Sequence, residues 1–108
     1  MTFHYKVFSE GKDKMLAIAD ASLVGKTLMH DDLEIEISSN FYGNEKCSAE
    51  EALSLARQST IINAMGEEIV SMLLENGFVE KDNLMHIGSD DGRQGRRSVP
   101  HAQVVVSA

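Results

Sequence analysis

Ser48-Ala-Glu-Glu-Ala-Leu-Ser-Leu-Ala-Arg-Gln-Ser-Thr-Ile-Ile-Asn-Ala-Met-Gly-Glu-Glu-Ile-Val-Ser-Met-Leu-Leu-Glu-Asn-Gly-Phe78 decides how much of this chain is helix. It opens on the S-x-x-E form of a capping box, Ser48 to Glu51, in which each side chain bonds the other residue's backbone N–H. Apolar residues then recur at helical spacing through Ala52, Leu53 and Ala56, and again through Ile62, Met65, Ile69, Met72 and Leu73. The polar run Arg57-Gln-Ser-Thr60 and Gly66 weaken the middle. The pattern predicts two helices, 49–57 and 59–75, or one bent helix. Asn76-Gly77 is the stop: glycine takes the left-handed conformation after a helix end, and Phe78 packs back on Leu73 or Leu74. On this reading Asn63 and Glu67, at i and i+4, present an amide and a carboxylate from one helix face. Gly66 lets a helix or the Phe41-Tyr42 loop approach closely.

Outward from this stretch the chain reads as strands. Residues 3–8 alternate, Ser9-Glu-Gly-Lys-Asp13 is a turn, and residues 14–19 return as a second strand, which makes a hairpin. Residues 20–32 read as irregular, with one short helical turn around 21–24. Leu33-Glu-Ile-Glu-Ile37 alternates cleanly, with Glu34 and Glu36 toward water. Residues 38–44 are a turn-rich loop, and 84–87 and 102–106 are the last strands. The order β-β-β-α-α-β-β predicts an α+β fold. Its mainly antiparallel sheet has about five strands, with two helices (or one bent helix) packed on one face. At 108 residues the chain is expected to be a single domain.

Composition narrows the function. The chain is 43% hydrophobic and 25% charged, with a formal net charge of −7. That balance disfavours non-specific binding of nucleic acid over the whole surface and leaves room for a local basic patch. Cys47 is the only cysteine, which excludes an internal disulfide and fits a reducing, cytoplasmic setting. The alternating N-terminus is not a signal peptide, and no apolar run is long enough to span a membrane. The default role of Met15, Met65 and Met72 is packing.

Several segments in the same order resemble an archaeal family known as domain of unknown function 424. They are Tyr5-Lys-Val-Phe8, Leu23-Val-Gly-Lys26, Phe41-Tyr-Gly43, Ser59-Thr-Ile-Ile-Asn-Ala-Met-Gly-Glu67 and Val99-Pro-His-Ala-Gln-Val104. The resemblance covers nearly the full chain, and Asp90 to Ser98 reads as an insertion in the family pattern. It implies an archaeal cytosolic protein and supplies no catalytic residues.

The candidate sites divide by what chemistry they lack. Val24-Gly-Lys-Thr27 looks like the end of a phosphate-binding loop, but Asp20 stands where the first glycine belongs and no helix follows to aim N–H groups at an anion. His30-Asp31-Asp32 with Glu34 and Glu36 lacks calcium-loop spacing and reads as a solvated acidic face. The histidines are scattered, so no metal site is expected. Cys47 lies before a helix start that would acidify its thiol, but Glu50 and Glu51 oppose a thiolate.

The C-terminal stretch is more informative. Arg93, Arg96 and Arg97 are three of the chain's four arginines, concentrated in a Gly/Arg-rich segment at 89–98 that has no apolar residue and is expected to be mobile. Pro100-His101-Ala102-Gln103 follows, with an imidazole and an amide on a rigid turn. The leading expectation is a non-enzymatic binding module, without cofactor, whose surface combines Asn63, Arg93, Arg96, Arg97, His101 and Gln103. Its partner is RNA, a ribonucleoprotein or an acidic protein segment. A second reading is a small-ligand binder or enzyme centred on Asn63, Glu67, His101 and Gln103, which requires them to converge. A third is a structural subunit or homo-oligomer in which Val104–Val106 ends a sheet edge and pairs with another chain.

Overall fold

The computed structural model describes residues 1–87 and 98–106. In chain order, β1 (Thr2–Glu10) and β2 (Asp13–Asp20) form the expected hairpin, in register from Phe3↔Asp20 to Glu10↔Asp13. Next, β3 (Thr27–His30) and β4 (Leu33–Glu36) pair as a separate two-stranded hairpin. Its turn residues Asp31 and Asp32 both have positive φ, 49° and 66°, as a type I′ turn demands. The short helix α1 (Ser39–Tyr42) begins where Ser38 Oγ accepts the Asn40 N–H. It leads through Gly43 to β5 (Glu45–Ser48), α2 (Ala49–Arg57), β6 (Ile61–Met65) and α3 (Glu67–Glu75). A 3-10 turn at Lys81–Asn83 precedes β7 (Leu84–Ile87) and β8 (Val99–Val105). No helix among the described residues is long and apolar enough to cross a membrane.

Six strands make one sheet, in the order β5-β1-β2-β6-β8-β7. The class is α+β, but the sheet is mixed, because β2 and β6 run parallel from Met15↔Ile61 to Ala19↔Met65. Three expectations need correction. The segment read as a helix over 59–75 is a strand followed by a helix. Ile61-Ile62 is β-branched and favours extended backbone. Gly66 breaks the run at φ 129°, a value no helix contains. A strand covered on both faces buries residues of both parities, and Ile62, Ala64 and Met65 then mimic helical spacing. Residues 27–30, read as irregular, form β3, and the loop at 38–44 contains α1. The strand carrying Val104 is flanked by β6 on one side and by β7 only as far as Ala102 on the other, so Val104 and Val105 lie at an unpaired stretch of edge among the described residues.

Helices cover both faces, unequally. On one side, Ala52 and Ala56 of α2 and Ile69, Val70 and Leu73 of α3 bury Phe3, Leu16, Ile18, Ile62, Ala64 and Ala102. On the other, α1 and the β3–β4 hairpin cover Ala17, Ala19, Met65 and Ile87 with Ile37, Tyr42, Leu28 and Ile35. Alanines at 17 and 19 leave room for the Tyr42 ring to lie close to the sheet.

Local signals behave as the sequence dictates where they are local. The Ser48–Glu51 capping box is complete, with bonds of 3.0 and 3.2 Å. The end of α3 is a Schellman motif: Phe78 N–H donates to Leu73 O, Gly77 N–H donates to Leu74 O, and Gly77 has φ 77°. The start of α3 is capped from a distance. Asp20, at the end of β2, accepts the N–H groups of Glu68 and Ile69 at 3.0 and 2.8 Å. Gly66 makes this approach available, because a Cβ there would overlap the Asp20 carboxylate.

Candidate functional site

Register brings the predicted polar residues onto one face. The pairs Met65↔His101 and Asn63↔Gln103 place Asn63, His101 and Gln103 on the sheet side that α1 and the hairpin partly cover. The Pro100 carbonyl accepts the Gly66 N–H at 3.0 Å, which ties the start of β8 to the end of β6. His101 Nε2 then donates to Asn63 Oδ1 at 2.6 Å. An amide oxygen can only accept, so this bond fixes the neutral ring as the Nε2–H tautomer and leaves Nδ1 as its acceptor. The Tyr42 hydroxyl donates to the same oxygen at a long 3.5 Å, consistent with the amide's orientation. Burial pushes the His101 pKa below its usual 6.5 and the Tyr42 phenol up to about 12.

Neighbouring strands extend this face in rows. One row runs Lys6, Ala17, Asn63, Gln103; the next runs Phe8, Met15, Ile61, Val105. Phe8, Met15 and Ile61 are half-buried, and Val105 is exposed. Phe8 stacks on Phe41 with centroids 5.6 Å apart, and Lys6 Nζ lies 5.0 Å from the Phe8 centroid while donating to Asn40 O.

Two sequence expectations separate from this cluster. Asn63 and Glu67 do not share a helix face, since Asn63 is in β6 and Glu67 is in the first turn of α3. Glu67 instead lines a groove of about 400 Å³ with Met1, Ala49, Glu68, Met72 and Glu75. The Cys47 thiol is not acidified: burial, helped by Glu51, pushes its pKa up to about 11. Arg93, Arg96 and Arg97, and the mobility expected of 89–97, lie outside the described residues. Among the described residues no three His, Cys, Asp or Glu side chains are grouped to hold a metal ion. Tyr42 is the site residue that sequence reasoning missed. Its signal was the Phe41-Tyr42 pair in a segment otherwise rich in turn residues.

A mixed six-stranded sheet, capped by two helices on one face and carrying an imidazole–amide pair on the other, defines an α+β protein whose polar centre holds a bound-up histidine. The chain belongs to the family of proteins of unknown function DUF424, whose family model matches residues 8–106. Its fold is similar to the crystal structure of an uncharacterized conserved protein from Methanopyrus kandleri. The two share 21% identity and a TM-score of 0.77 over 100% of this chain and 95% of that one. No curated protein matches the chain.

Proposed function

We propose that the chain is a non-enzymatic binding module of the archaeal cytoplasm. Its contact surface is Asn63, His101 and Gln103 together with the arginines at 93, 96 and 97, and its partner is RNA or a ribonucleoprotein. The observation that carries this reading is the 2.6 Å His101–Asn63 bond. It commits the imidazole to an amide, so the pair presents hydrogen-bonding groups rather than an activated nucleophile. Single-stranded RNA is read by stacking on apolar and aromatic side chains and by hydrogen bonds to base edges. The amide row beside the Phe8–Met15–Ile61–Val105 row offers both kinds of contact. His101 follows Arg97 by four positions, so guanidinium–phosphate pairing would act beside the same face.

Titration of labelled single-stranded RNA at several salt concentrations tests the reading. Two or three neutralised phosphates give a slope of about −1.4 to −2 in log affinity against log salt. Replacing Arg93, Arg96 and Arg97 with alanine should flatten that slope, whereas Gln103→Ala should weaken binding without changing it. Salt-independent binding, or a triple variant that binds unchanged, removes RNA as the partner.

The convergence of Asn63 and His101 favours a second reading, a small-ligand binder centred on these two residues and Gln103. It predicts that His101 ring signals respond to a small anionic or amide-bearing metabolite in an NMR screen. Glu67 takes no part in it.

A further inference from the structure

The chain enters β7 from the 3-10 turn at Lys81–Asn83 instead of running alongside β8, so β7 pairs with β8 only from Val99 to Ala102. Beyond that point the β8 backbone has a free side among the described residues. The Pro100 carbonyl and the Val106 N–H both turn toward β6, where they bond Gly66 and Thr60. Alternation along an antiparallel ladder therefore turns the groups of Gln103 and Val105 the other way. The Asn83 N–H, the nearest donor of the turn, is committed to Glu80 O. Among the described residues this leaves the Gln103 carbonyl and both Val105 backbone groups open. Val105 is 80% exposed.

A groove of about 510 Å³ follows this free edge, walled on the far side by Asn76, Phe78, Val79 and Glu80. Its charge is one-sided. It lies at the C-terminal end of α3, whose last turn has no basic residue, so the partial negative charge of the helix end adds to Glu80. Among the described residues, Glu80 is the only charged one of the lining.

We propose that this groove binds an extended segment of a partner protein, carrying basic residues, that adds to the sheet as a short strand antiparallel to Gln103–Val106. This edge shares Gln103 and Val105 with the face proposed above to contact RNA, but it engages their backbone groups and the opposite wall of Phe78 and Glu80 rather than the side chains of that face. The segment would take the place that the chain vacates at the 3-10 turn, running toward Asn83. One of its residues exchanges two backbone bonds with Val105, and the residue two positions later donates to the Gln103 carbonyl. The residue opposite Val105 shares that side chain's face and is best β-branched. Its neighbours point to the other face, toward Phe78 and Glu80, and are best arginine or lysine. Backbone bonds supply affinity and alternate side chains supply selectivity, as in other strand-addition sites. A second copy of this chain is a poor occupant. Pairing two edges of this length falls well short of the roughly 1,200 Å² that stable interfaces bury, and each copy carries −7.

The test uses the full chain and the peptide acetyl-Thr-Arg-Ile-Arg-Thr-amide as probe, followed by amide NMR shifts. Shifts confined to 76–80 and 103–106 are expected. Val105→Pro removes an outward N–H without touching the β6 ladder, and should weaken binding at least about tenfold while the Val104 and Val106 amides stay protected. N-methylation of the peptide isoleucine should do the same. Exchanging both arginines for glutamate should abolish the shifts, and the Arg93, Arg96, Arg97 triple alanine should leave them unchanged. The proposal is overturned if about 1 mM peptide shifts nothing in this groove, or if Val105→Pro binds as well as the parent. A dimer in light scattering that Val105→Pro dissolves would assign the edge to a second copy and overturn it equally.

Discussion

Gly66 and Asp20 show how much one backbone position can carry. Gly66 has φ 129°, and a Cβ there would meet the carboxylate that caps α3. Gly66→Ala therefore combines backbone strain with loss of two capping hydrogen bonds, one of them buried. It should cost about 3 kcal/mol or more in a denaturant titration. Adding Asp20→Ala should cost less than the sum of the two singles, because the clash is already gone. Burial outweighs the two N–H bonds at Asp20 and raises its pKa above the usual 3.8, with Glu68 and Glu67 adding to the rise. A carboxyl group raised in the fold stabilises most below 3.8, and that contribution is lost as pH rises through the folded value. Asp20→Asn should thus be most harmful near pH 3.5 and least harmful near pH 7. A deficit that grows with pH would mean that the ionised form is the one the fold prefers. The sequence marked Gly66 as a place of close approach but not the group that approaches, for Asp20 registered only as a residue that spoils a phosphate loop. Its partner is 48 residues away, and no local pattern reports a cap supplied from another strand.

Elements whose signals are local were readable, and those defined by their neighbours were not. The Ser48–Glu51 box and the Asn76-Gly77 stop mark α2 and α3 because capping depends on three or four consecutive residues. The central strand β6 was hidden, since burial on both faces erases the alternation that identifies a strand. The β3–β4 hairpin was half hidden for a different reason. Two-residue hairpin turns favour Asn-Gly, and here Asp31-Asp32 holds the left-handed conformation without a glycine. Asp32→Gly should relieve that strain and raise stability by about 0.5–1 kcal/mol. Thermal unfolding of the variant checks this, and an unchanged or lower midpoint would show that the Asp32 carboxylate contributes more than its backbone costs. The residue types of the candidate site were legible, but their grouping followed the register. Reading β6 as helix paired Asn63 with Glu67, whereas its strand pairing gives it to His101 and Gln103.

Across the whole molecule the two titrating sites pull stability in opposite directions with pH. His101 has its pKa lowered by burial. A histidine depressed in the fold contributes stability above its unfolded value of about 6.5, and that contribution is lost as pH falls below it. His101→Gln keeps a donor for Asn63 and removes the titration. The parent should therefore lose more stability than the variant between about pH 7 and pH 5, measured by urea unfolding at each pH. Parallel curves would mean that the ring is solvated well enough to be protonated in place. The sheet order has a further consequence in time. Lys14 and Thr60, bonded where β2 meets β6, are 46 residues apart, and β8 comes later still. On a ribosome, Leu16-Ala-Ile-Ala19 must leave the exit tunnel and wait with one side of its backbone unpaired until β6 has been made. Before β6 is made, the large sheet can assemble only as far as β5-β1-β2, so its closure is a late event dominated by distant contacts. Refolding of the purified chain should accordingly fall in the millisecond-to-second range of non-local topologies, and not in the microsecond range of helical bundles.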